Sequence, residues 1–169
     1  MNLKTFENRG IRDDTEHPAL QVKKILVPID FSPASTRAFK YALRLAEEFA
    51  AELTLLYVLA PAPSRSLASI PGAPAFSKSD LSGTEKNLRA LIASTRNGSV
   101  QRVRSTMRIG VPSHEIVEMA KDANIDLIVI ATHGYTGWKH FCIGSTAERV
   151  VRAAPCPVLV VREKEHQFC

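Results

Sequence analysis

The chain has 169 residues, 45% of them hydrophobic and 23% charged, which fits one globular domain with a real core and excludes a disordered chain. Its 22 basic and 17 acidic residues leave a net charge of +5, but scattered without long runs of one sign, a pattern of solubility rather than of a nucleic-acid stripe. Cys142, Cys156 and Cys169 form no Cys-x-x-Cys pair, which argues against a disulfide framework or zinc ribbon and suits reduced thiols in a cytoplasm; no apolar run approaches the roughly 18 residues of a membrane span.

Residues 1–22 read as a polar extension with charges of both signs and no apolar core of the kind a secretory signal requires. Lys24–Ile29 (KILVPI) is a short branched, apolar run, the mark of a strand buried on both faces. Asp30-Phe31-Ser32-Pro33 ends it, with Ser32 placed as an N-cap and Pro33 at the first helical position. Phe39, Ala42, Leu43, Ala46, Phe49 and Ala50 then recur at helical spacing, and Leu53–Leu59 is a second buried strand. Residues 60–80 are rich in Pro, Ala and Ser and form a loop longer than strand-to-helix connections usually are. Ser82 and Glu85 have capping-box spacing ahead of a helix that turns Leu88, Leu91 and Ile92 inward.

The strand predicted over Val100–Ile109 differs from the first two. Val103, Ser105, Met107 and Ile109 alternate with Arg102, Arg104, Thr106 and Arg108, so one face is wet and the strand belongs at a sheet edge. Gly110-Val111-Pro112-Ser113 turns the chain into a helix striped by Ile116, Val117, Ala120 and Ala123. Leu127–Ala131 is wholly apolar and therefore central. After a glycine-punctuated segment come a short helix over Ser145–Ala153, the strand Pro157–Val161, and a tail over 164–169. Strands joined by helical crossovers predict an α/β fold: a doubly wound, flavodoxin- or Rossmann-like, five-stranded parallel sheet of order 3-2-1-4-5 with four helices.

In such a sheet ligands bind beyond the carboxyl ends of the strands where the order reverses, here between strands one and four. Pro28-Ile29-Asp30 ends the first, and Ala131-Thr132-His133-Gly134 ends the fourth. Gly144-Ser145 opens the last helix, whose first N–H groups lack internal partners and attract an anion; Ser145 and Thr146 add hydroxyls, and Lys139 and His140 add positive charge from the loop. The plainer alternatives are a turn with Ser145 as N-cap, an Asx-turn at Asp30, and a loop imidazole at His133 satisfied by backbone. Trp138 either covers a ligand or packs the loop. Cys142 and Cys156 read as buried, and Cys169 as exposed. His133 and His140 lack a third ligand at metal spacing, so no protein-built metal site is expected.

KKILVPIDFS at the first strand, RIGVPSHEIVEMA into the third helix, and THGYTG with GSTAERVVRAAPCPVLVV at the end resemble the universal stress protein family. The resemblance covers about Lys23 to Arg162, with the domain taken as 23–163. It implies the doubly wound fold, ATP binding in many members, and dimerisation through the last strand, here 157–161. The family's ATP motif is Gly, two residues, Gly, nine residues, then Gly and Ser or Thr. It falls on Ala131, Gly134, Gly144 and Ser145, since residues 135 to 143 make nine; the first position is Ala131 instead of glycine. The resemblance further implies Asp30 near the adenine or ribose, Pro28 and Val58 lining the base pocket, and Thr146 near the phosphates; His133, by its place after the central strand and not by the resemblance, either contacts the ligand or is satisfied by backbone.

The leading expectation is therefore a cytoplasmic, dimeric regulatory module that holds ATP, with Mg or Mn entering only through the phosphates. The alternatives are a ligand-free interaction module, a weak ATPase, and a nucleic-acid binder resting on Arg102, Arg104 and Arg108. The chain has no Walker A sequence and no kinase motif, which counts against dedicated phosphoryl transfer.

Overall fold

The computed structural model describes residues 21–60, 78–95, 102–132 and 144–162. Expectations for His133, Gly134, Gly137, Trp138, Lys139, His140, Cys142 and Cys169 lie outside the described residues, as do those for 61–77 and for most of both terminal extensions.

Among the described residues nine elements follow in order: β1 (Lys24–Pro28), α1 (Pro33–Phe49), β2 (Glu52–Leu59), α2 (Lys78–Ala93), β3 (Val103–Ile109), α3 (Pro112–Asp122), β4 (Leu127–Ala131), α4 (Ser145–Ala153) and β5 (Val158–Val161). The strands form one parallel sheet, β3-β2-β1-β4-β5, the doubly wound order expected from the wet third strand and the apolar fourth.

Alternation along the strands feeds two cores. Ile25, Val27 and Ile29 of the β1 segment, Leu53 and Leu55 of β2, and Val129 and Ala131 of β4 pack with Ala38, Phe39, Ala42 and Ala46 of α1 and Leu88 of α2. Leu26, Leu56, Ile128 and Ile130 pack on the opposite face with Ile116 and Ala120 of α3 and Ala147 and Val150 of α4. Phe39 is 1% exposed; truncating such a ring to alanine costs about 3–5 kcal/mol. Val22 is also buried in the α1-side core.

The start of α1 matches its sequence signals: Ser32 is the N-cap, its Oγ accepting from Ser35 N at 3.1 Å, and Pro33 sits in the first turn. Three expectations need correction. Helix α2 begins at Lys78, so Ser82 and Glu85 lie inside it rather than forming its capping box; Glu85 instead pairs with Arg89 one turn on. Ile109 is 56% exposed rather than on the dry face, because the chain leaves the sheet edge at Gly110. Ala50 does not continue the apolar stripe of α1: it is the exposed left-handed C-cap.

Candidate functional site

The β1–β4 pairing is short, and a proline limits it. Glu52 N donates to Lys23 O and Ile29 N to Leu56 O, so odd residues of the β1 segment bond toward β2 and even ones toward β4. Pro28 is even and has no N–H. The β1–β4 register accordingly stops at Leu26↔Ile128, and the last rung before Asp30 is missing its donor. A proline is tolerated there because it ends the strand.

Asp30 follows in a braced turn. Its Oδ1 accepts from Ser32 N at 3.0 Å, the Asx geometry suspected from sequence, and its own N donates to Ser35 Oγ at 3.3 Å. Between them Phe31 sits in left-handed backbone (φ 63°) and stacks on Tyr57 with ring centroids 5.3 Å apart. Asp30 is half-buried.

On β4, the residue after the strand is bonded to the start of α4. Thr132 N donates to Val161 O at 3.0 Å, and Gly144 N donates to Thr132 O at 2.7 Å. Gly144 is the N-cap of α4 and supplies no side-chain cap bond, which leaves the first-turn amides of Ser145 and its successors directed outward. Ser145 is exposed and Thr146 half-buried. Gly144 has φ −60° and ψ 150°, dihedrals open to any residue, so glycine serves there only by keeping side-chain bulk away from those amides. Glu148 in the same turn puts a negative charge near the helix start, offset by its pairing with Arg152 at 3.0 Å.

The expected residues divide by face. Val58 packs with the α3–α4 core, and the alternation that sends Leu26 there sends Pro28 the same way. Pro28, Val58 and the start of α4 therefore share one side of the sheet. Ala131 points to the other: it is 8% exposed, lies in the α1-side core and pairs with Val161 at the end of β4. It is not among the residues with positive φ. Its methyl therefore carries no backbone strain and faces away from the α4 side, which removes the main physical objection to alanine at the first motif position.

Thr132, Ser35 and Asp126 were not singled out from sequence. Thr132 is 4% exposed and anchors both β5 and Gly144 through its backbone. Only its place directly after an all-apolar strand hinted at this. Ser35 is visible as the second serine three residues after Ser32. Asp126 gave no signal, because its role is to accept from Lys23 N and Lys24 N across 103 and 102 residues of chain.

The positive strand is neutralised. Arg102 and Arg104 pair with Glu52, and Arg108 pairs with Asp122 at 2.7 Å and approaches Glu115 at 3.7 Å. The nucleic-acid reading rested on these arginines, and each has an acidic partner. A separate cleft of about 360 Å3, lined by Lys24, Thr54, Arg104, Thr106, Met119 and Ile125 among others, is bordered by none of the expected site residues. Among the described residues no group of three or more His, Cys, Asp or Glu is arranged to hold a metal, and no helix is long and apolar enough to cross a membrane.

Comparison with known proteins agrees with this architecture. The universal stress protein family model matches residues 21–162. A universal stress protein of Methanocaldococcus jannaschii is 36% identical over 145 residues, covering 86% of this chain and 85% of the relative. The solved structure of universal stress protein UspA from Lactobacillus plantarum superposes with a TM-score of 0.76 at 31% identity, covering 84% of this chain and 99% of that one. Two further structures share the fold: a universal stress protein in complex with cAMP (TM-score 0.65, 21% identity, 85% and 99% covered) and one from Archaeoglobus fulgidus in complex with dAMP (0.61, 16%, 84% and 98%). With the sheet order, the closing signature and a match spanning nearly all the described residues in agreement, this chain belongs to the universal stress protein family.

Proposed function

We propose that the chain is an adenine-nucleotide-binding regulatory module that holds ATP beyond the carboxyl ends of β1 and β4. The observation that carries this reading is the start of α4, whose Gly144 N-cap supplies no side-chain bond, drawn onto the end of β4 by the Gly144–Thr132 bond and lying on the same side of the sheet as Pro28 and Val58. In the reading, the amides and hydroxyls of Ser145 and Thr146 take the phosphates. Asp30 takes the adenine or ribose, Pro28 and Val58 flank the base, and Ala131, His133, Gly134 and Gly144 frame the approach. Complexes of fold relatives with cAMP and dAMP support an adenine nucleotide as the ligand class. A Mg or Mn ion would enter with the phosphates. The chain acts in the cytoplasm as a homodimer joined through 157–161, and nucleotide occupancy changes its partners rather than driving a dedicated reaction.

The test is to identify any nucleotide released on mild denaturation of the purified protein and to titrate ATP, ADP and AMP calorimetrically. ATP binding is expected in the wild type and its loss in Gly144→Val, a side chain that the φ and ψ of this position accept but that would fill the space before the α4 amides. No heat from any of the three nucleotides at millimolar concentration would sink the proposal in favour of a ligand-free interaction module.

A further inference from the structure

We infer that Ser35 is a positioning residue for nucleotide binding, acting through Asp30; this rests on the reading just given. The Ser35 side chain lies in the first turn of α1 and is not itself at the crevice: the residue is 4% exposed. Its hydroxyl is fully used. Oγ donates to Ser32 O at 3.1 Å, accepts from Asp30 N at 3.3 Å, and lies 3.2 Å from Ser32 Oγ, which donates to it. One donor and two lone pairs are thereby all engaged.

The consequence is a double tether on Asp30. Ser35 holds its backbone N–H, while Ser32 N holds Oδ1 of its carboxylate. Two contacts on one residue, one at each end of its side-chain bond path, fix where the carboxylate lies relative to the end of β1. The tether spans a turn in which Phe31 takes left-handed backbone, a conformation that bulky residues adopt only when their surroundings impose it. Removing the Ser35 hydroxyl leaves the half-buried Asp30 N–H without this acceptor and frees the turn to relax. A preorganised carboxylate loses little entropy on binding; a relaxed one loses more.

Ser32 provides the control. Its hydroxyl caps α1 and donates to Ser35 Oγ, so Ser32→Ala weakens the same helix start and removes that contact, but retains the Ser35 Oγ to Asp30 N bond and the Ser32 N to Asp30 Oδ1 bond. ATP affinity is measured for wild type, Ser35→Ala, Ser35→Thr, Ser32→Ala, Asp30→Ala and the Asp30→Ala/Ser35→Ala double variant, with thermal unfolding and amide exchange at Asp30 recorded alongside. Ser35→Ala is expected to weaken ATP binding about tenfold, of the size one lost hydrogen bond sets, and to speed exchange at the Asp30 amide. Ser35→Thr should restore much of both. Ser32→Ala should cost similar thermal stability but less than about threefold in affinity. In the Asp30→Ala background the Ser35 change should have no further effect on binding. Equal losses with and without Asp30, or an unaltered Asp30 amide in Ser35→Ala, would overturn the inference while leaving the nucleotide reading intact. A wild type that binds no nucleotide would overturn the nucleotide reading first and the binding role of Ser35 with it.

Discussion

Ala50 shows how one backbone angle sets a substitution's sign. It closes α1 at φ 51° and ψ 37°, with its N–H reaching back to Ala46 O and Glu47 O. An L side chain in that conformation is strained and glycine is not, so Ala50→Gly is expected to stabilise the fold by about 0.5–1 kcal/mol in chemical denaturation. Glu52 makes a second prediction. The hydrogen bond from Arg102 holds its carboxyl below the ordinary glutamate range; partial burial opposes this, and the charges of Arg104 and Arg102 reinforce it. A carboxyl lowered in the folded state adds stability above its unfolded pKa and gives it up as pH falls through the folded value. Carboxyl titration by NMR should therefore place Glu52 below an unstructured glutamate, and Arg102→Gln should move it upward. Neither feature was legible in sequence: Ala50 looked like one more residue of an apolar stripe, and Glu52 meets its arginines only when β2 and β3 pair. Ser32 was legible because a cap acts on amides three residues away.

At the scale of elements, local periodicity sufficed for all nine to be recognised. Long-range contacts decided their edges. Helix α2 is the instructive case. Ser82 and Glu85 carried a capping pattern, yet the helix starts four residues earlier, with Gly83 in its interior facing open space. Of its residues over 81–93 only Leu88 is buried, so little packing enforces a boundary and the capping signal does not set one. The reverse holds at the amino end of β1. There Asp126 Oδ2 accepts from Lys23 N and Lys24 N at 2.8 and 2.9 Å, and Lys24 Nζ caps the end of α3 at Ala123 O. This clamp joins β1 to the turn before β4. Asp126→Ala should cost about 1–3 kcal/mol, since two strand amides lose a charged acceptor, and should speed exchange at the Lys24 amide. Asp126→Asn, which keeps one acceptor oxygen, should cost less. A loss below a few tenths of a kcal/mol would mean that water replaces the clamp.

At the scale of the molecule, the two sheet edges differ in character. β3 presents Arg104 and Ser105 to solvent, the charged kind of edge that resists pairing. β5 presents Leu159, 38% exposed, close in sequence to Val151 of α4 at 47%. The proposed homodimer uses the apolar edge. Sedimentation should find the wild type dimeric at tens of micromolar, a concentration suited to an interface of ordinary size, and Leu159→Glu monomeric with its unfolding curve little changed. A monomeric wild type would remove the dimer from the proposal. The edge position of β3 was legible from its arginines. That Ala131 turns its methyl away from the α4 side was not, because facing follows from register, and register is a property of the paired sheet.

The bond from Gly144 N to Thr132 O fastens together two framework residues that eleven residues, 133–143, separate in sequence. With both ends fastened to the framework, the composition and length of that stretch become an independent variable. Doubling a loop adds only about 0.6 kcal/mol of closure cost. In the nucleotide reading proposed above, transplanting the corresponding stretch from a relative should exchange ligand preference while leaving β4, α4 and the melting transition almost as they were.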